Sequence, residues 1–206
     1  IMKKNKSSKN WIIQQHRDLF FKEAKSSGLR SRSAYKLIDL DNKFNFLKNC
    51  KTVVDLGCYP GGWSQIVKRK TKNCKILSLD LKKMKDIDGV EFIHCDFQDD
   101  RSKEIILNRL KTKADAVISD MAANTTGNKD LDCIRTNELC YEVLSFSRNI
   151  INQNGIVISK LFNGKDFLEV KKLAESKFKK VNFFKPKSSR DFSKETYIHC
   201  AGIKTL

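Results

Sequence analysis

The stretch Val53-Val54-Asp55-Leu56-Gly57-Cys58-Tyr59-Pro60-Gly61-Gly62-Trp63-Ser64 admits few folds. A short β-branched apolar run ends in an acid and a glycine-rich turn. A helical pattern through Trp63, Ile66 and Val67 follows. Strand, glycine turn and helix place a ligand at the carboxyl end of the first strand of an open α/β sheet. Glycine there lets the backbone pass close to a ligand where a side chain would collide. The spelling is not Gly-x-Gly-x-x-Gly, which disfavours a dinucleotide pyrophosphate loop. Trp63 stands where a phosphate-binding lysine would precede Ser64, so a nucleotide triphosphatase is a poor fit. An acid at the strand end suits a cationic or amino-bearing ligand instead.

The rest of the chain repeats the alternation. Strand signals fall at 52–56, 75–80, 91–95, 115–120, 155–161, 181–184 and 196–203. Helix signals fall at 63–70, 101–110, 131–151 and 166–177, after a helix over 16–26 and a second from Ser31 or Ser33. In that second helix Leu37, Leu40, Phe44 and Leu47 share helical spacing, with Lys36 at the border of the stripe. Such alternation predicts a doubly wound α/β fold. The last two strands lie too close for a crossover helix and should pair antiparallel. Residues 1–15 read as a basic flexible arm and 16–206 as one domain, with 16–48 its N-terminal helices.

Charge sets the class of partner. Forty-one Lys and Arg against 24 Asp and Glu give a net +17, which suits a polyanion. The basic residues cluster at Lys3–Lys9, at Lys68–Lys72 and from Lys171 to Arg190, where a basic sheet edge would meet RNA phosphates. Seven cysteines without a Cys-x-x-Cys pair read as reduced thiols of a cytoplasmic protein, with no metal site. No apolar run reaches the length of a membrane span.

Acids recur where strands end. Asp55, Asp80 and Asp120 close predicted strands and Asp96 lies just past one, so all four face one crevice. Asp80, about two dozen residues after the first glycine, is placed for a ribose. Ser119-Asp120-Met121-Ala122 lacks the Asn/Asp-Pro-Pro-Tyr signature of amine methylation, and no Pro-Cys or Thr-Cys pair offers a thiolate for attack on pyrimidine carbon. Lys160 ends the apolar strand Gly155-Ile156-Val157-Ile158-Ser159. Burial, or a second cation nearby, should lower its pKa and free an amine to act as a base.

Five motifs occur in order: Ser-Arg-Ser-Ala-Tyr-Lys-Leu (31–37), Asp-Leu-Gly-Cys-Tyr-Pro-Gly-Gly-Trp-Ser-Gln (55–65), Ser-Asp-Met-Ala-Ala-Asn-Thr-Thr-Gly (119–127), Ser-Lys-Leu-Phe (159–162) and Pro-Lys-Ser-Ser-Arg-x-x-Ser-Lys-Glu-Thr-Tyr (186–197). Together they resemble the RrmJ/FtsJ family of RNA ribose 2′-O-methyltransferases over nearly all of residues 16–206. The resemblance implies a Rossmann-like methyltransferase fold with a seven-stranded, mostly parallel sheet and an antiparallel last strand. It implies a catalytic tetrad of Lys36, Asp120, Lys160 and Glu195, with Lys160 as general base. By the same resemblance S-adenosylmethionine is the cofactor, held around Asp55, Gly57, Pro60, Gly61, Gly62, Trp63, Asp80, Asp96 and Asp120. Two departures stand out: Cys58-Tyr59 replaces two small residues, and Ala123 replaces the proline of Ala-Pro-Asn.

The resulting expectation is an enzyme that methylates a uridine ribose in 23S ribosomal RNA, within the large subunit and without an obligate protein partner or membrane. The alternatives are a tRNA anticodon-loop ribose 2′-O-methyltransferase and a non-catalytic RNA-binding protein that keeps the fold. Gly62, where tRNA-directed relatives carry serine, favours the ribosomal branch.

Overall fold

The computed structural model describes residues 19–190 and 192–205. The expected basic arm over 1–15 and the start of the first helix lie outside the described residues. Helix α1 (Leu19–Ser26) is followed by Gly28 at φ +63. Helix α2 (Ser33–Phe44) turns Ala34, Leu37 and Leu40 into the core. The apolar spacing predicted a helix through Leu47, but α2 stops earlier. Asn45 adopts the left-handed conformation and donates its N–H to the Asp41 carbonyl. The Asp41 carboxylate then accepts the N–H groups of Phe46 and Leu47, at 3.1 and 2.9 Å. This side-chain capping offers the backbone an alternative to further helix. Leu47 is fully buried all the same, so its spacing reported burial and not conformation.

Eleven further elements alternate: β1 (Thr52–Leu56), α3 (Gly62–Lys70), β2 (Lys75–Asp80), β3 (Val90–His94), α4 (Asp100–Arg109), β4 (Ala114–Ser119), α5 (Lys129–Ile150), β5 (Ile151–Phe162), α6 (Phe167–Lys177), β6 (Phe178–Phe184) and β7 (Glu195–Ile203). They form a seven-stranded sheet in the order β3-β2-β1-β4-β5-β7-β6. Strand β7 runs antiparallel to both β5 and β6, and the ladders from β3 through β5 are parallel. The α/β expectation with an antiparallel last strand therefore holds. From β1 the chain winds outward to β3, then crosses back to β4. The carboxyl ends of β1 and β4 thus flank the crevice where such sheets bind ligands.

Both faces of the sheet are covered, which is why β1 is apolar almost without alternation. One face packs Leu56, Leu77, Val117, Val157 and Ile198 against Ile106, Val143, Leu144 and Val170 of α4, α5 and α6. The other packs Val53, Ile76, Ala116, Ile118 and Ile158 against Leu37, Leu40, Trp63 and Val67 of α2 and α3.

Two strands begin three or more residues earlier than the sequence indicates. β5 starts at Ile151 and not Gly155, because the register against β4 slips from Ala114–Ile151 to Ala116–Ile156. The polar residues in between make a bulge: Asn152 Nδ2 reaches Asp115 at 2.7 Å and Asn152 Oδ1 accepts the Asn154 N–H at 3.0 Å. β6 starts at Phe178, where exposed Lys179 and Lys180 break the alternation. It is the sheet's edge strand, and charged side chains there oppose pairing with another chain. All seven cysteines are free thiols. Among the described residues no helix is long and apolar enough to cross a membrane.

Candidate functional site

The glycine turn is held from below and from the side. Ser64 Oγ, on the first turn of α3, donates to Asp55 Oδ2 at 2.6 Å and shares a 2.9 Å hydrogen bond with Ser78 Oγ. Asp55 is 1% exposed and its Oδ1 has no hydrogen-bond partner. Burial pushes its carboxyl up to about 7, Ser64 opposing and Asp120 and Asp80 adding to the rise. The glycines make room for the chain's own side chains. A Cβ on Gly57 would lie 2.2 Å from Met121 Cγ, and one on Gly62 would lie 2.3 Å from Ser31 Oγ. At Gly61, φ +104, it would meet Ile87, Arg30 and Met84. Arg30 spans two loops here, donating to the carbonyls of Pro60 at 3.4 Å, Lys85 at 2.5 Å and Asp86 at 2.6 Å. Trp63 is buried and donates its Nε1–H to the Ser33 carbonyl at 2.8 Å.

Sheet register brings the tetrad together. Lys160 on β5 pairs directly with Tyr197 on β7, and Phe162 pairs with Glu195. Residues two apart on a strand share a face, so Lys160, Tyr197 and Glu195 point the same way. Asp120 follows the last residue of β4, and Lys36 arrives from α2. Lys160 Nζ lies 2.7 Å from Asp120 Oδ1, 2.8 Å from the Asp120 carbonyl and 3.7 Å from Glu195 Oε2. Lys36 Nζ lies 2.8 Å from Glu195 Oε2 and 3.9 Å from Asp120 Oδ1. Two cations thus share two carboxylates in a nearly dry setting, with Lys160 and Glu195 each 8% exposed.

The charge balance reverses one expectation about Lys160. Burial does push its ammonium toward neutrality, but Asp120 and Glu195 push harder the other way, and its pKa stands above the ordinary value. Burial likewise works to raise Asp120, yet Lys160 and Lys36 hold it below the usual carboxylate range. The pair therefore rests as ammonium and carboxylate.

A cavity of about 440 Å³ opens beside the tetrad and shares Asp120 with it. Gly57, Asp80 and Asp96 also line it, with Leu81, Phe97, Met121 and Asn124. Asp80 is fixed by two backbone groups: Tyr59 N–H on Oδ2 and Lys82 N–H on Oδ1, both at 2.8 Å. Asp96 accepts the Gln98 N–H at 2.9 Å. Tyr59 lines the wall with Lys82 Nζ 5.5 Å over its ring. Asp55, Pro60, Gly61, Gly62 and Trp63 are not among the residues that line the cavity. Among the described residues, no group of three or more His, Cys, Asp or Glu side chains is placed to hold a metal ion.

Residues 29–203 match the model of the FtsJ-like methyltransferases. The chain belongs to that family. Curated relatives agree along its length. Ribosomal RNA large subunit methyltransferase E of Pelagibacter ubique is 48% identical over 97% of this chain and 98% of its own. The protein of the same name from Francisella philomiragia is 42% identical over 98% and 100%. A solved Plasmodium falciparum structure, provisionally described as a ribosomal RNA methyltransferase, superposes with a TM-score of 0.74 at 35% identity, over 84% of this chain and 98% of that one. This FtsJ-like methyltransferase carries around its tetrad three further contacts that sequence reasoning did not single out. Tyr197 OH donates to Asp120 Oδ1 at 2.5 Å, Ser189 Oγ donates to Glu195 Oε1 at 2.8 Å, and Arg32 Nη2 donates to the Ser188 carbonyl. The period-two spacing of Glu195 and Tyr197 was the available signal for the first. Arg32, Ser188 and Ser189 lie within the motifs at 31–37 and 186–197, but no spacing tells which of their atoms meet.

Proposed function

We propose that this FtsJ-like methyltransferase transfers a methyl group from S-adenosylmethionine to the ribose 2′-oxygen of a uridine in 23S ribosomal RNA. The observation that carries the reading is the convergence of Lys36, Asp120, Lys160 and Glu195 beside a cavity that shares Asp120. The names of the curated relatives support ribosomal RNA as the substrate. The cavity suits the cofactor: its volume is that of a small ligand, and Asp80 and Asp96 offer carboxylates to ribose hydroxyls and an adenine amine. Gly57 and Met121 would flank the methionine end, and the glycine turn at 60–63 would hold the wall in place. When bound, S-adenosylmethionine supplies an already activated methyl group on a sulfonium that departs as a neutral thioether.

The chain's own task is then alignment and removal of one proton. Lys160 first gives up its extra proton to solvent, and its neutral amine takes the proton of the 2′-hydroxyl as the oxygen forms its bond to carbon. Lys36 holds the same oxygen and offsets the negative charge growing on it. Asp120 and Glu195 aim both lysines. The +17 chain, with its cations at Lys171–Arg190 and in the N-terminal segment, would neutralise RNA phosphates.

The test offers labelled S-adenosylmethionine with large ribosomal subunits from a methylase-deficient strain, naked ribosomal RNA and tRNA. Label on one subunit uridine ribose, lost in Lys160→Ala, is the expected result. Label on tRNA alone would overturn the substrate, and cofactor binding without transfer to any RNA would overturn the reaction.

A further inference from the structure

The segment between β6 and β7 is braced on both sides. Ser188 N–H and Oγ both donate to Asp39 Oδ2 on α2, at 3.0 and 2.9 Å. Ser189 Oγ holds Glu195 Oε1, and Ser193 Oγ accepts the Glu195 N–H at 3.2 Å. Lys185 Nζ reaches the Ser193 carbonyl at 2.8 Å, and the Ser193 N–H returns to the Arg190 carbonyl at 3.0 Å. Its supports are therefore Glu195 of the tetrad and the helix that carries Lys36. In this segment Phe192 is 77% exposed, the most exposed large hydrophobic side chain among the described residues.

Turn segments ordinarily present polar residues to water, so a large aromatic ring exposed here is unusual. The segment is basic in sequence: Lys185, Lys187, Arg190 and Lys194 against one acid, Asp191. An exposed aromatic in a basic segment, three residues from a group at the reacting centre, matches what unpaired RNA bases need. Bases splayed from a strand stack on aromatic faces while cations track the phosphates.

We propose that Phe192 is a stacking platform for an RNA base beside the ribose presented to Lys160. The proposal rests on the RNA ribose reading above and adds a base-binding subsite to it. Its role is to hold the strand in register, so its loss acts on RNA binding and leaves the cofactor cavity untouched.

The experiment compares wild type with Phe192→Ala, Phe192→Leu and Phe192→Trp. Methyl transfer to undermethylated large subunits is measured at varied RNA and varied S-adenosylmethionine. Stacking predicts a KM for RNA raised about tenfold in the alanine and leucine variants, with the KM for the cofactor unchanged. The tryptophan variant keeps the wild-type KM, and its added indole fluorescence is quenched when RNA binds. Leucine behaving as wild type would show apolar packing without stacking and overturn the proposal. So would an alanine variant with wild-type KM, or a bound RNA that leaves the indole unquenched. A wild-type protein that transfers no methyl group would overturn the function proposed above. The quench needs no turnover and would still decide the platform.

Discussion

Tyr197 and Lys160 grip one and the same oxygen, Asp120 Oδ1, at 2.5 and 2.7 Å from directly opposed positions on β7 and β5. The phenol is fully buried, and burial together with Asp120 and Glu195 raises its pKa well above the ordinary value, so it stays a donor. A neutral donor and a cation thus fix one carboxylate, which leaves Lys160 little freedom to swing away.

Removing that donor tests the arrangement. A hydrogen bond to a buried charged group contributes about 1.5–3 kcal/mol, so Tyr197→Phe should lower stability by roughly 2 kcal/mol. Thermal unfolding of the variant should begin several degrees lower while cofactor affinity is kept. An unchanged unfolding temperature would mean that the two lysines hold Asp120 without help from the phenol.

The raised pKa of Lys160 makes a prediction about pH. Below that value each added pH unit raises the neutral-amine fraction about tenfold, so the transfer rate should climb from about pH 7 to about pH 9 without a plateau. Glu195 is one of the charges holding the proton on. Glu195→Gln should therefore move the rise to lower pH, even as the absolute rate falls. A wild-type profile flat over that range would remove Lys160 from the role of base.

Much of this was legible in the sequence because the fold alternates strands and helices and its central strands are apolar runs. Lys36, Asp120, Lys160 and Glu195 were named by the family resemblance of the ordered motifs, and the structure brings their side chains together. What stayed hidden depends on contacts between distant residues. Leu47 keeps helical spacing, yet Asp41 turns the chain before it. The charge state of Lys160 depends on how close Asp120 and Glu195 come to it, and no spacing gives that distance. Gly61 and Gly62 read as room for a ligand, but the space beside them is taken by Arg30 and Ser31.

His199 makes stability fall with acid. Its ring is 7% exposed and stacked on Phe44 at 4.0 Å between centroids. Burial lowers its pKa from 6.5 to about 4. The unfolded chain therefore takes the proton first. The stability this residue contributes is complete above about pH 6.5 and is lost as pH falls through about 4, roughly 3 kcal/mol at full effect. Urea unfolding of wild type and His199→Phe at several pH values checks this. The variant should show the shallower decline, and parallel curves would clear His199 of the effect.

Arg30 should matter to the cofactor though it does not line the cavity. Its guanidinium bridges the carbonyls of Pro60, Lys85 and Asp86, which follow the wall residues Tyr59 and Lys82 in the chain. An ammonium cannot reproduce that planar fork, so Arg30→Lys should weaken cofactor binding nearly as much as Arg30→Ala, about tenfold. Calorimetric titration decides it. A lysine variant with wild-type affinity would show that charge and not bridging is what the loops require.

Gly57 and Gly28 both have positive φ, at +76 and +63, yet they should respond differently to alanine. At Gly28 a Cβ meets nothing within 4 Å, so only backbone strain opposes it, about 1 kcal/mol. At Gly57 the same strain is joined by a Cβ 2.2 Å from Met121 Cγ and 3.3 Å from Met121 Cα. Met121 has to move, and it and Gly57 both line the cavity. Gly57→Ala should therefore cost several kcal/mol of stability and cofactor affinity together, since overpacking alone costs about 1–3 kcal/mol. Gly28→Ala should leave cofactor affinity as it is. Met121→Ala in the Gly57→Ala background should restore part of the binding, because it removes the atom that the new methyl group strikes. Failure of that rescue would place the defect in the backbone of the turn and not in the displaced side chain.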